Sequence, residues 1–341
     1  VSVEDAERRC AMLTATNTRF RVVETHSAFD SSVESQMEKT RRSPKSLLFL
    51  WLVSYLAAFT NIAKAVFRKV LNPSKPFRVI LWEMGRSEKH VSSWFVDKFS
   101  QLNHRAKVGS AGWKSLDIFY NYQEKFVPQL KENMEGFLTD FWMNIENRQA
   151  VRNRLKIVVR ALEDAFVELS GKHKEVRILS IASGSAQAVI DAMKAVPWIK
   201  VKAVLIDMDE SALDYAKKQA EKAGFLDRFT FVQGKTTLIE EEAKKLQPHI
   251  IEMVGFLDYR TDGQAVDLFR RIKNQLPADG FFLTCNINKN PEKPFLDWVL
   301  LWPMIYRTKE DVARLLKEGG FEKQDVFYEP LGVHSIGVCR A

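Results

Sequence analysis

Over the second half of this 341-residue chain, short apolar runs alternate with amphipathic stretches in a regular order. Runs near 176–181, 201–206, 229–233, 249–254 and 280–286 read as strands. Between and after them, apolar positions recur at helical spacing near 186–196, 210–223, 236–246, 263–275 and 308–319. Alternation with short connections predicts an α/β fold with a doubly wound, mostly parallel sheet, covered by helices on both faces. Two last runs, near 322–329 and 333–340, flank Pro330-Leu-Gly332 and predict an antiparallel hairpin, which brings the sheet to seven strands. Thr308-Lys-Glu-Asp311 has the spacing of a capping box, and Gly319-Gly320 ends the helix it opens.

The first half is patterned differently. Residues 1–40 are polar and weakly periodic, which predicts poor order or a loose helix. Ser46 to Ala63 then runs 18 residues without a charge, between Arg41, Arg42 and Lys45 on one side and Lys64, Arg68 and Lys69 on the other. That length reaches the threshold for crossing a bilayer. On a helix, however, Ser54, Asn61, Lys64 and Arg68 share one face, with Leu52, Phe59, Ile62 and Val66 opposite. The pattern favours a helix lying in a membrane interface over one packed on the protein or one spanning. Pro73 and Pro76 mark a boundary, and residues 78–170 read as helical and rich in aromatics, among them Trp82, Trp94, Phe95 and Trp113. The chain thus divides into an N-terminal tail and helix (1–75), a helical accessory region over the site (76–170) and the α/β domain (171–341).

Composition narrows the chemistry. Three cysteines without a C-x-x-C pair or a His/Cys cluster predict neither a disulfide scaffold nor a metal site. The net charge of +8 raises the question of nucleic acid. Residues 1–75 hold 12 basic and 7 acidic side chains, so much of the excess lies outside the α/β region. No basic block is interleaved with aromatics, so no nucleic-acid partner is expected, and a membrane surface or plain solubility explains the charge equally well.

The strongest motif lies where the first strand meets the first helix. Ile178-Leu-Ser-Ile-Ala-Ser-Gly-Ser-Ala186 is an apolar strand breaking into a small-residue turn, and the next strand ends in Asp207. Small residues let backbone approach a ligand, the helix N-terminus offers free N–H groups, and the acid can receive ribose hydroxyls. A ligand carrying adenosine is the leading expectation.

Five alternating units closed by a terminal hairpin resemble the class I S-adenosylmethionine-dependent methyltransferases, over about 176–341. Residues 178–186 occupy that family's first motif, an acid followed by a Gly-x-Gly-x-Gly loop, with Ser180 at the acid and Ala182, Gly184 and Ala186 at the glycines. The resemblance implies S-adenosylmethionine as cofactor and assigns Ala182, Ser183, Gly184 and Ser185 to its loop. It further implies Asp207 and Met208 at the ribose, Lys235 and Thr236 after the third strand, and Gly255 and Phe256 after the fourth. Ser180 and Lys235 each remove a carboxylate that the family pattern would supply. The Ile181-Ala-Ser-Gly-Ser-Ala186 loop, the Gly255-Phe-Leu-Asp-Tyr259 turn and Leu296-Asp-Trp-Val-Leu-Leu-Trp-Pro-Met-Ile-Tyr-Arg307 are similar to bacterial methyltransferases that esterify 3-hydroxy fatty acids. That similarity implies a long acyl carboxylic acid as acceptor, although lipid or polyketide methyltransferases could share these features; the 46–70 helix would hold a cytoplasmic enzyme at the inner face of the membrane.

A carboxylate acceptor needs no base at neutral pH, whereas a hydroxyl or amine would. Asp258, Tyr259 and His334 are the candidate catalytic residues, with turn capping and ordinary strand packing as their plain alternatives. Arg148 and Arg152 lie one helical turn apart and could grip a carboxylate of the acceptor or of the cofactor, or form a solvated basic face. Tyr120, Tyr122 and Trp142 could line an apolar pocket or simply pack in the core. Asn286 follows the fifth strand at the ligand edge; Trp302 and Tyr306 belong to a segment that forms a lid or docks on the helical region. Turns expected of exocyclic DNA-amine and protein-arginine methyltransferases, and the cysteine of a pyrimidine C5 enzyme, are absent after the fourth strand. Two other readings stay open: a methyltransferase-like protein that binds without catalysis, and an RNA methyltransferase. The sequence sets no oligomeric state.

Overall fold

The computed structural model describes residues 35, 37–85, 98, 100–110 and 112–341. The expectation of weak order over 1–40 therefore falls mostly outside the described residues, as do Trp94 and Phe95.

Seven strands form one sheet: β1 (Val176–Ile181), β2 (Val201–Asp207), β3 (Phe229–Gln233), β4 (Ile250–Met253), β5 (Phe281–Ile287), β6 (Lys323–Tyr328) and β7 (His334–Arg340). Their order is β3-β2-β1-β4-β5-β7-β6, with only β7 running opposite to the other six. The chain winds outward from β1 to β3, returns to β4 beside β1, and winds out the other way. That reversal opens a crevice at the carboxyl ends of β1 and β4, the usual ligand position in such sheets. The sheet is Rossmann-like, as expected.

Helices cover both faces. On one side lie α6 (Glu146–Ser170), α7 (Gln187–Ala195) and α8 (Glu210–Lys222). Their apolar stripes, including Val158, Leu162, Phe166, Val189 and Leu213, meet Ile178, Val201 and Leu205 of the sheet. On the other side lie α9 (Ile239–Leu246), α10 (Asp262–Lys273) and α12 (Lys309–Glu318), built on Leu179, Ile251 and Phe282. The expected capping box is present, with Thr308 accepting from the Asp311 N–H and Asp311 from the Thr308 N–H.

A third layer sits over the carboxyl edge of β5. It comprises α1 (Pro44–Leu71), α2 (Phe77–Gly85), α3 (Gln101–Val108), α4 (Trp113–Tyr120), α5 (Met134–Met143) and α11 (Lys293–Trp298). Trp142 stacks on Phe295 with ring centroids 5.1 Å apart, and Ile287, Leu300 and Val333 join the same cluster. The segment from Leu296 to Arg307 thus docks on the helical region, one of its two expected placements.

Helix α1 settles the orientation of the charge-free stretch. Ser54, Ala57, Asn61 and Ala65 face the protein, where small side chains permit close approach and Asn61 Nδ2 donates to the Trp298 carbonyl at 2.6 Å. Trp51 Nε1 donates to the Pro291 carbonyl at 2.7 Å. The apolar face points outward, with Leu52 67%, Phe59 75% and Phe67 65% exposed. The helix is packed on the protein, one of the three alternatives, and its outward face is apolar. It is long and apolar enough to cross a membrane by length and composition.

Candidate active site

The β1–α7 turn has an unusual backbone. Ala182, Gly184 and Ala186 all take left-handed conformations, with φ of 53°, 53° and 52°. A left-handed alanine costs about 1–2 kcal/mol, which explains why the family motif carries glycine at these positions. The turn is held from β2: Ser183 N–H donates to the Ile206 carbonyl at 3.2 Å, and Gly184 N–H donates to Asp207 Oδ2 at 2.8 Å. Asp207 Oδ1 accepts from the Asp209 N–H at 2.9 Å, and Asp209 caps α8. Trp113 roofs the turn, stacked on Tyr215 at 4.6 Å and donating to Ser211 Oγ at 3.0 Å. A Cβ on Gly184 would lie 3.5 Å from the Trp113 Cβ, so the glycine also makes room for this roof.

These residues fit an adenosine ligand. Asp207 is only half-buried, and each of its oxygens accepts one backbone bond, leaving lone pairs for hydroxyl donors. Ser183 Oγ is buried with no hydrogen-bond partner, an orphaned polar atom inside the expected cradle. Met208 is 61% exposed beside the acid, an apolar surface available to a base. Lys235 is exposed, while the Thr236 carbonyl accepts from Arg271 Nη2 at 2.7 Å. The turn after β3 supplies no carboxylate.

The acid missing from β1 stands on the neighbouring strand. Ser180 pairs in register with Glu252 of β4, and Ser180 Oγ donates to Glu252 Oε2 at 2.5 Å. Glu252 Oε1 accepts from the Val254 N–H at 3.1 Å. Burial pushes the Glu252 carboxyl up to about 7, with the Ser180 and Val254 bonds opposing. An acid in the strand Ile250-Ile-Glu-Met253 was the available sequence signal. Because its native pKa lies above its unfolded value, the stabilising proton is fully held below about pH 4.5 and lost as pH rises through about 7. Glu252→Gln is expected to make the fall in melting temperature between pH 4 and 8 shallower; an unchanged profile would show that the proton lies elsewhere.

After β4 the chain turns through Gly255, with φ of 83° and its N–H on Cys285 Sγ at 3.3 Å. A Cβ there would sit 3.8 Å from both terminal nitrogens of Arg154, a fully buried side chain of α6. Arg154 Nη2 donates to the Tyr120 hydroxyl at 2.9 Å. Phe256 is half-buried under the Arg260 guanidinium, 4.1 Å from ring centre to Cζ. Asp258 joins three segments: its Oδ1 accepts from the Ile287 N–H at 2.7 Å and its carbonyl from the Ile305 N–H at 2.8 Å. Burial pushes its carboxyl up to about 6 against that bond and the charges of Arg154 and Arg307. The Tyr259 hydroxyl accepts from Trp302 Nε1 at 2.5 Å. His334, opposite Ile287 at the start of β7, is 3% exposed with both ring nitrogens unpartnered. Burial, and secondarily Arg154, hold its pKa well below 6.5, so the ring is neutral.

Several expected contacts are engaged elsewhere. Arg152 is bound to Glu38 through two bonds of 2.5 and 2.6 Å, and Arg148 donates to Asn103 Oδ1 and the Trp142 carbonyl. Neither is free to grip a carboxylate, and neither lies on a solvated face; the pair ties α6 to its neighbours. The Tyr122 hydroxyl donates to Asp140 at 2.9 Å, and Tyr122 and Trp142 are core residues rather than pocket walls. Asn286 is wholly buried, bridging the Ile305 carbonyl and Arg307 Nη1, so it positions the chain and not an acceptor. Tyr306 lies half-buried under Lys293, 4.8 Å from ring centre to Nζ, and Trp302 is buried against Tyr259. The unforeseen residue is Arg154. One arginine among several on an amphipathic helix carries no signal until packing buries it.

A cavity of about 770 Å³ lies beside Ser185, between α4, α6, α7 and α8. Its walls are mostly polar, and they include Tyr120, whose hydroxyl meets Arg154.

Comparison with known proteins bears on the fold and the family. A solved structure titled as a possible exported protein from Bordetella parapertussis covers 84% of this chain and 96% of its own at 16% identity, with a TM-score of 0.56. Human N-acetylserotonin methyltransferase in complex with SAM is a more distant structural neighbour, at 15% identity over 70% of this chain and 66% of its own, TM-score 0.41. The Escherichia coli (strain K12) protein YnbC, called uncharacterized, is 22% identical over 250 residues. That alignment takes in 70% of this chain but 42% of YnbC, so this chain spans less than half the length of that relative. The family model described as "Putative methyltransferase" matches residues 72–341, and the chain belongs to that family.

Proposed function

We propose that this S-adenosylmethionine-dependent methyltransferase methylates an oxygen of a small acceptor, and that the acceptor is an apolar carboxylic acid of fatty-acid type reached from a membrane surface. The observation that carries the cofactor reading is the left-handed turn bound to Asp207 at the carboxyl ends of β1 and β4. When bound, the cofactor supplies an electrophilic methyl on a sulfonium. The chain's share is orientation and exclusion of water. Asp207 would hold ribose hydroxyls, the turn and Ser183 would meet the polar groups near it, and Met208 would flank the base. Gly255 and Phe256 shape the edge where the acceptor must arrive.

The acceptor reading rests on what lies beyond that edge. Tyr259, Trp302 and Tyr306 belong to one apolar cluster that runs through Phe295 and Leu296 of α11 to Leu50, Val53 and Ala57 on the inner face of α1. The outer face of α1 is apolar, and Lys45, Lys64, Arg68 and Lys69 stand along the same helix. Apolar area with flanking lysines and arginines suits an anionic bilayer surface. The acid is ionised at neutral pH and attacks without a base, so no proton acceptor is required.

Incubation of the protein with labelled cofactor, a series of fatty acids and, separately, RNA tests the reading, with mass spectrometry of the products. Labelled methyl esters are expected; label only in RNA would replace the proposal with the nucleic-acid one. Phe59→Asp with Phe67→Asp is expected to reduce co-sedimentation with phosphatidylglycerol-containing vesicles several-fold while leaving esterification of a soluble short acid unchanged. Equal sedimentation would remove the membrane from the proposal.

A further inference from the structure

One buried cation has no carboxylate at bonding distance, although Asp258 acts on it from farther away. Arg154 is fully buried, yet it forms no ion pair among the described residues. Its neighbours within bonding reach are the neutral Tyr120 hydroxyl at 2.9 Å and Cys285 Sγ at 3.7 Å, and its Nε has no partner. Its neighbours are engaged otherwise: Arg152 has Glu38, Arg148 donates to Asn103 Oδ1 and the Trp142 carbonyl, and Arg307 has Asp262 and three chain oxygens. A guanidinium cannot discharge by losing its proton, so burying it without an anion at bonding distance is unfavourable. His334 adds a second anomaly at the same place. Its ring is buried two residues along β7 from Ile336, the partner of the Cys285 that Arg154 meets, and both nitrogens lack a partner. A neutral imidazole always has one N–H to donate.

We propose that Arg154, with Tyr120 and His334 beside it, is the seat of the acceptor's carboxylate. This rests on the methyltransferase reading above. One incoming carboxylate satisfies the unpaired guanidinium and the unpartnered imidazole N–H together, and charge-assisted bonds of this kind are the strong ones. The place is right for the reaction. Arg154 lies against Gly255 at the end of β4, facing the edge where methyl transfer takes place in this fold. There a carboxylate oxygen forms the new C–O bond while the S–CH3 bond breaks and its electron pair returns to sulfur. Ester and thioether result, and no proton is gained or lost. His334 is then a positioning donor, and its neutrality suits that task.

The arrangement makes two measurable demands on the full-length protein. The first is selectivity in binding without any cofactor. Octanoate is expected to bind the wild type at least about tenfold more tightly than octanamide, its neutral isostere, in calorimetric titrations. The second is a split between stability and binding. Arg154→Met removes the lone cation, so the unliganded melting temperature is expected to stay level or rise. The same variant should lose the preference for octanoate and keep the wild-type affinity for S-adenosylhomocysteine within about twofold. Equal binding of octanoate and octanamide by the wild type overturns the proposal, and so does undiminished octanoate binding by the variant. If Arg154→Met loses S-adenosylhomocysteine instead, the seat belongs to the cofactor's own carboxylate and the acceptor assignment falls. Should the methionine variant not fold, Arg154→Lys and the wild-type selectivity decide, since lysine keeps the charge but not the fork. Arg154-dependent octanoate binding in a protein that ignores S-adenosylhomocysteine would keep the anion seat and remove the methyl-transfer reading.

Discussion

Asp207→Ala is expected to raise the dissociation constant for S-adenosylhomocysteine by about 100-fold or more, measured by calorimetric titration. A carboxylate accepting two ribose hydroxyls contributes about 1.5–3 kcal/mol per bond. The loss should exceed that of a simple ligand contact because Asp207 has a second role. Its Oδ2 holds the Gly184 N–H and its Oδ1 the Asp209 N–H, so it fixes the left-handed turn that forms the rest of the cradle. The variant should therefore be less stable by about 1–2 kcal/mol as well, the usual effect of removing the acceptor for paired backbone donors. Asp207→Asn, which retains an acceptor oxygen, should recover part of both losses. An unchanged affinity in the alanine variant would place the cofactor elsewhere.

Arg307→Ala should produce the largest loss of stability, about 3–5 kcal/mol in a denaturant titration, the range for breaking a buried, hydrogen-bonded charge network. Arg307 is 3% exposed. Its Nη1 donates to the Leu257 carbonyl and Asn286 Oδ1, and its Nη2 to the Arg260 carbonyl and Asp262. It therefore clamps the turn after β4, the end of β5 and the start of α10. Removing it leaves buried carbonyls without donors, each a penalty of about 1–3 kcal/mol. Asp258 and Tyr259 sit on the same turn, so catalytic turnover should fall with stability. A variant with wild-type stability would mean that water replaces the guanidinium at all four oxygens.

The motif turn and the sheet were legible because local rules govern both. Strand and helix periods from Val176 onward matched the seven strands, and the small residues at 182–186 pointed to a tight turn. The three left-handed residues follow from the same local chemistry. The partners of each arginine were not legible. Arg148, Arg152 and Arg154 lie within seven residues of one helix, and spacing made the first two the candidate clamp. In the folded chain Arg152 meets Glu38, 114 residues away, and Arg148 meets Asn103, while Arg154 is left with the Tyr120 hydroxyl and Cys285 Sγ. Likewise the acid missing at Ser180 is found on β4, which parallel pairing places in register with it.

By itself, then, the sequence determined the order of strands and helices, the small-residue turn after β1 and the acid that ends β2, since backbone conformation and hydrophobic period are properties of neighbouring residues. Only the tertiary structure decided which charges are neutralised, which carboxylate stands in for the missing one, and that α1 turns its small polar face inward and its apolar face out. Those outcomes depend on Coulomb and desolvation energies between groups far apart in the chain. Their distances exist only after folding.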